Sequence, residues 1–179
     1  KSREHIKRTS VWGVGCHAQE IIDYHTDEEF DTPTIYFGNR ISDTANRYTN
    51  YDSFAEAIGK LSKITNRPFK AVMLNPTRNE LSNGCVEVMS NDEQFTRKDY
   101  LEFINRAHIS VNLFVTEVHG GVTHCEAMLA KNVLVVPEVN NYKTKFSKTN
   151  YKYPFFVDVD KNQTHNHDTT QIAERLKDL

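Results

Sequence analysis

The stretch from Thr116 to Met128 (Thr-Glu-Val-His-Gly-Gly-Val-Thr-His-Cys-Glu-Ala-Met) holds the residues best suited to chemistry. It follows an apolar run and opens a segment of helical character. Paired glycines, Gly120 and Gly121, let the backbone approach a ligand without interference from a Cβ atom. The amides of the turn that follows, at Val122 and Thr123, have no partner within a helix. With the positive end of the helix dipole they suit a phosphate or a diphosphate. Glu126 falls one turn further on, and a carboxylate there can accept two hydrogen bonds from a ribose diol. A strand, a glycine pair and a helix can equally serve tight packing alone, so the surroundings must decide.

Other reactive side chains are given structural readings. His119 and His124 flank the glycine pair, and His124 is expected to be packed or solvated. Cys125 has no base assigned to it and reads as a small buried residue. His165-Asn166-His167 has the letters of a nuclease motif without the ββα-metal context, and reads as a polar loop. Cys16, Cys85 and Cys125 share no metal-type spacing, and their odd number argues against a disulfide framework. A reducing, cytoplasmic compartment is the expectation.

The elements that must position the glycine turn alternate along the chain. Strands are expected at 34–38, 69–74, 85–89, 109–115, 133–136 and 155–157. The nearly unbroken apolar runs at 71–74 and 133–136 suit strands covered on both faces. Phe54, Ile58 and Leu61 repeat at helical spacing after Thr49-Asn50, and Ile172, Leu176 and Leu179 do the same near the end. Thr96 and Asp99 form the pattern of a capping box ahead of Tyr100, Leu101 and Ile104. A helix is expected over 122–129, and one or two turns within 75–84. Strands alternating with helices imply an α/β fold: a doubly wound, Rossmann-like parallel sheet of about six strands with helices on both faces. Residues 1–32 read as an interdomain linker or the remnant of a preceding domain, and 33–179 as the nucleotide-binding domain.

Composition narrows the class. The chain has 179 residues, 26% charged and 38% hydrophobic, which is a globular balance. A net charge of -2 gives no global basic field for nonspecific DNA binding. Basic residues cluster at 1–8 and 143–152 and read as solvated surface. No apolar run reaches the roughly 20 residues that span a bilayer. The chain opens on Lys1, without a positive-then-apolar leader, and a fragment is expected.

The order of motifs over roughly residues 10–160 resembles the C-terminal, donor-binding domain of retaining GT-B glycosyltransferases. The resemblance rests on Glu117, on His119-Gly120-Gly121, on Glu126-Ala127-Met128-Leu129 and on Val133-Leu134-Val135-Val136-Pro137. It is carried further by Asn105 to Val111, by Thr34 to Arg40, and by Trp12-Gly13-Val14 at the place of an interdomain linker. One departure is plain: eight residues separate Glu117 from Glu126, where the family has seven. Glu117 takes the family role only if the turn bulges by one residue.

The resemblance implies a UDP-sugar or related nucleotide-sugar as donor, with no cofactor and no metal. Gly120, Gly121, Val122 and Thr123 would grip the diphosphate and Glu126 the ribose. Glu117 would meet the donor sugar, and Arg40 and Arg47 would neutralise the leaving group. The loop at Ser90-Asn91-Asp92 would receive the base. A missing N-terminal Rossmann-like domain would hold the acceptor site, so the chain alone would bind donor without appreciable turnover. Polysaccharide, lipid, protein and modified DNA remain open as acceptors. A stand-alone nucleotide-binding sensor is the competing reading, and a protein-interaction domain with a purely structural glycine turn is a third. The glycosyltransferase reading depends on open amides at the turn and on a Glu126 carboxylate that does not face the interior.

Overall fold

A computed structural model describes residues 18–38, 51–74, 85–89, 96–113, 122–138, 155–158 and 168–179. Six strands form one parallel sheet: β1 (Thr34–Phe37), β2 (Lys70–Leu74), β3 (Glu87–Met89), β4 (Ile109–Val111), β5 (Val133–Pro137) and β6 (Phe156–Val157). Their spatial order is β3-β2-β1-β4-β5-β6. The five helices among the described residues are α1 (Ala18–Asp23), α2 (Tyr51–Ile64), α3 (Arg97–Arg106), α4 (Val122–Leu129) and α5 (Thr169–Lys177). The doubly wound α/β sheet expected from the sequence is present. Each strand except β4, which ends at Val111 against an expected 109–115, sits within about two residues of its expected place.

Alternation along the strands splits the core into two layers. Ile35 and Phe37 of β1 join Met73, Val111 and Val135 beneath α2 and α5. Tyr36 faces the other way, with Val72, Leu134 and Val136, toward α1, α3 and α4. Phe54, Ile58 and Leu61 of α2 and Ile172 and Leu176 of α5 are buried, as their spacing predicts. The layer under α2 and α5 is closed by polar contacts as well. Lys60 Nζ donates to Thr169 Oγ1 at 2.6 Å, and Thr169 Oγ1 donates to Glu56 at 2.9 Å.

Residues 18–30, part of the segment read as an interdomain linker or the remnant of a preceding domain, pack on the second layer. Ile21 is fully buried there, Phe30 stacks at a tilt on Phe103, and the Phe30 amide donates to the Arg106 carbonyl. Ile22, next to it in the chain, is half exposed. The turns expected within 75–84 lie outside the described residues. No helix among the described residues is long and apolar enough to cross a membrane.

Helix ends are set locally. At α3, Thr96 Oγ1 accepts from the Asp99 amide while Asp99 Oδ2 accepts from the Thr96 amide at 2.6 Å, which is the expected capping box. The Thr96 hydroxyl, which also donates to Asp99 Oδ2 at 2.7 Å, and then the Thr96 amide hold the Asp99 carboxyl below its ordinary range. At the far end of α4, the Asn132 amide returns to Ala127 O and the Lys131 amide to Met128 O. This pair of bonds requires a left-handed residue, and Lys131 supplies it at φ 64°. Asn132 then locks the turn: its Oδ1 accepts from the Tyr36 hydroxyl at 2.8 Å, and its Nδ2 donates to the Ile104 and Ala107 carbonyls.

Candidate functional site

The sheet reverses its winding between β1 and β4. From β1 the chain proceeds outward to β2 and β3; from β4 it proceeds the other way to β5 and β6. Doubly wound sheets bind ligands beyond the carboxyl ends of the two strands that flank such a reversal, here β1 and β4. Gly38 leaves β1 at this point, and Asn112 leaves β4 beside it.

These two residues are in close register. The Gly38 amide donates to the Val111 carbonyl at 3.1 Å, extending the ladder by one bond. A Cβ on Gly38 would lie 3.1 Å from both Asn112 Oδ1 and Ser110 Oγ. Ser110 and Asn112 are two apart on one strand and share a face. Both are buried, and Asn112 Nδ2 donates to Ser110 Oγ at 2.9 Å. Asn112 Oδ1 accepts from Thr123 Oγ1 at 3.3 Å, which ties the end of β4 to the first turn of α4.

The sequence-predicted site residues divide into two groups. Arg40, Arg47, Glu117, Gly120 and Gly121 lie outside the described residues, as do Ser90-Asn91-Asp92 and His119. Val122 and Thr123 begin α4, half-buried, at the expected helix start. His124 is buried, and the Cys125 sulfur lies 3.2 Å from its Nε2. Cys125 itself is only partly buried, not enclosed as its sequence reading supposed.

Glu126 requires a correction. The sequence reading directs its carboxylate at a ribose, but the residue is 2% exposed. Its Oε1 accepts from Arg97 at 2.6 Å and its Oε2 accepts from the Tyr100 hydroxyl at 2.7 Å. Position five of α4 faces α3 and the sheet, so the carboxylate satisfies groups of the fold and is not presented to a ligand in this arrangement. Arg97 also reaches Glu20 of α1 at 3.1 Å and lies over the Tyr100 ring. Burial, with Tyr36 and Glu126 close by, holds the Tyr100 phenol far above its ordinary value, so it stays a donor.

Arg97, Tyr100 and Asn112 escaped the sequence reading. Asn112 was detectable: an amide inside the apolar run Ile109–Val115 must find partners once buried. Arg97 carried no such signal.

No family model and no curated protein matches the chain. Solved structures do. The chain is similar to an E. coli trehalose-6-phosphate structure bound with UDP-2-fluoro glucose (10% identity, TM-score 0.64, covering 91% of this chain and 42% of that one). It is also similar to a trehalose-6-phosphate synthase (12% identity, TM-score 0.66, 94% and 43%). A glycosyltransferase from Rickettsia africae gives 14% identity and a TM-score of 0.55, with 98% of this chain and 41% of that chain covered. At such identities the likeness is one of fold. The chain spans less than half the length of these structures, and its fold is the one found in that part of glycosyltransferases.

Proposed function

We propose that the crevice between the ends of β1 and β4 binds a nucleoside diphosphate sugar, with a UDP-sugar favoured. In this reading the chain is the donor-binding half of a retaining, metal-independent glycosyltransferase, incomplete without a second Rossmann-like domain. The observation that carries it is the meeting of Gly38, Asn112 and the start of α4 at the point where the sheet reverses. The missing side chain at Gly38 lets β1 run close against Ser110 and Asn112, and the α4 amides supply donors with a favourable dipole. The E. coli neighbour bound with UDP-2-fluoro glucose supports the choice of donor.

Breaking a sugar–diphosphate bond develops negative charge on the departing diphosphate and oxocarbenium character on the sugar. Fixed donors aimed at the departing oxygen lower that barrier most. The amides at Gly121, Val122 and Thr123 would act there together with Arg40 and Arg47. Glu117 would approach the donor sugar. Glu126, turned inward onto Arg97 and Tyr100, has no donor contact in this reading; the ribose contact expected of it is withdrawn, and the reading rests on the ends of β1 and β4 and the start of α4 instead. The acceptor belongs to the second domain.

The inward Glu126 favours a second reading, a nucleotide-binding module without transfer chemistry, because that role needs the crevice but no ribose carboxylate. Calorimetric titration against UDP-, GDP- and ADP-sugars tests the first reading. Saturable heat is expected with a UDP-sugar; none at millimolar ligand, with folding verified, would reject it. The module is favoured instead if UDP alone binds as tightly as every UDP-sugar, since a donor site must also hold the sugar.

A further inference from the structure

The sequence leaves Cys125 without a base, and the fold supplies one. Its Sγ lies 3.2 Å from Nε2 of His124, within the reach that a nucleophile and its base require. His124 is 1% exposed, so packing on every side fixes the imidazole where it stands. Cys125 is a thiol, not half of a disulfide, and is only partly buried.

Two effects act on that sulfur in the same sense. An imidazole that has taken the thiol proton stands beside the thiolate as a cation. Cys125 is also the fourth residue of α4, still within the first turn, where the helix dipole favours negative charge. The carboxylate next in the chain, Glu126, opposes neither effect strongly, because Arg97 and Tyr100 hold it and meet its charge.

We propose that Cys125 is a reactive thiol that forms mixed disulfides with low-molecular-weight disulfides, with His124 as its base. His124 Nε2 takes the proton from Sγ, and the thiolate attacks one sulfur of the reagent. A new S–S bond forms as the old one breaks, and the second half of the reagent leaves as a thiolate that takes up the proton. Cys125 is thereby oxidised and the departing half reduced. This chemistry stands apart from the nucleotide-sugar reading and needs no bound donor.

The test incubates the 179-residue chain at neutral pH with hydroxyethyl disulfide, a small uncharged reagent, and reads each cysteine by peptide mass spectrometry. Cys85 is exposed and serves as the reference within the same molecule. Exposure alone would rank Cys85 ahead of Cys125. An activated Cys125 should instead react about tenfold faster than Cys85, and faster in the folded chain than in urea. His124→Gln, with folding verified by circular dichroism, should carry Cys125 below its rate in urea and leave Cys85 unchanged, because a thiol without its base is shielded but no longer activated. Should that variant fail to fold, Cys125 would return to its urea rate, and the two comparisons on the unsubstituted chain still decide. Cys85 reacting first, Cys125 reacting no faster folded than in urea, or an unchanged rate in a folded His124→Gln chain would each overturn the assignment.

Discussion

Arg97 reaches from the first turn of α3 to the carboxylate of Glu126 on α4 at 2.6 Å, and the two are unequal partners. The Glu126 side chain is 3% exposed and that of Arg97 is 44% exposed. Removing the arginine leaves a buried carboxylate with only the Tyr100 hydroxyl. Neutralising the glutamate leaves an arginine that water already reaches and that Glu20 still holds.

Arg97→Ala should therefore cost more than Glu126→Gln. We expect about 2–3 kcal/mol for the first, below the full value for a buried pair because solvent reaches the guanidinium side. About 1 kcal/mol is expected for the second. Urea unfolding followed by circular dichroism measures both, and the reverse ranking would contradict the pairing described.

Gly38→Ala places a methyl group 3.1 Å from Asn112 Oδ1 and Ser110 Oγ. The Asn112 amide, held by Ser110 and Thr123, has to yield by a few tenths of an ångström. A loss of about 1–2 kcal/mol is expected, in the range for overpacking. Nucleotide-sugar affinity should fall in the same variant, because the displaced amide contacts the start of α4. Unchanged stability and unchanged titration heat would show that this end of β1 has room to spare.

Lys131→Gly should stabilise the chain by about 0.5–1 kcal/mol, since glycine occupies the left-handed region without the Cβ penalty. Its contact with His25, on an exposed surface, offsets little of this. A higher urea midpoint with an unchanged slope is the expected signature.

Alkaline pH should destabilise the fold. Burial, then the neighbouring Asp52 carboxylate, pushes the Tyr51 phenol up to about 12 from its ordinary 10.0. A raised folded-state value means the unfolded chain loses its proton first. The stabilisation is thus complete below pH 10 and is lost as pH rises toward 12. Tyr36 and Tyr100 are raised in the same sense and steepen the fall. Tyr51→Phe should flatten the dependence between pH 10 and 12 by up to one proton's slope, about 1.4 kcal/mol per pH unit. Unfolding free energies at stepped pH check it.

Much of the architecture was legible because its causes are local. The capping box at Thr96 and Asp99 spans four residues, and the repeats of Phe54, Ile58 and Leu61 reveal a buried helix face directly. The start of α4 at Val122 was legible for the same reason. The orientation of Glu126 was not, because its partners Arg97 and Tyr100 lie 29 and 26 positions away, and only tertiary packing brings them together. Counting along a helix places a side chain on a face; it does not say what stands opposite. The left-handed Lys131 was hidden as well, since lysine gives no hint of the conformation that a glycine would announce.

The pairing of β1 with β4 also bears on how the chain folds. Neighbours across that seam, such as Thr34 and His108, are 74 positions apart, so the crevice forms only after a long segment has been closed into a loop. The β1-α2-β2 unit can gather early from nearby contacts, while the seam must wait. Refolding from denaturant should then show native-like helicity well before nucleotide-sugar competence, with the central seam setting the slow step.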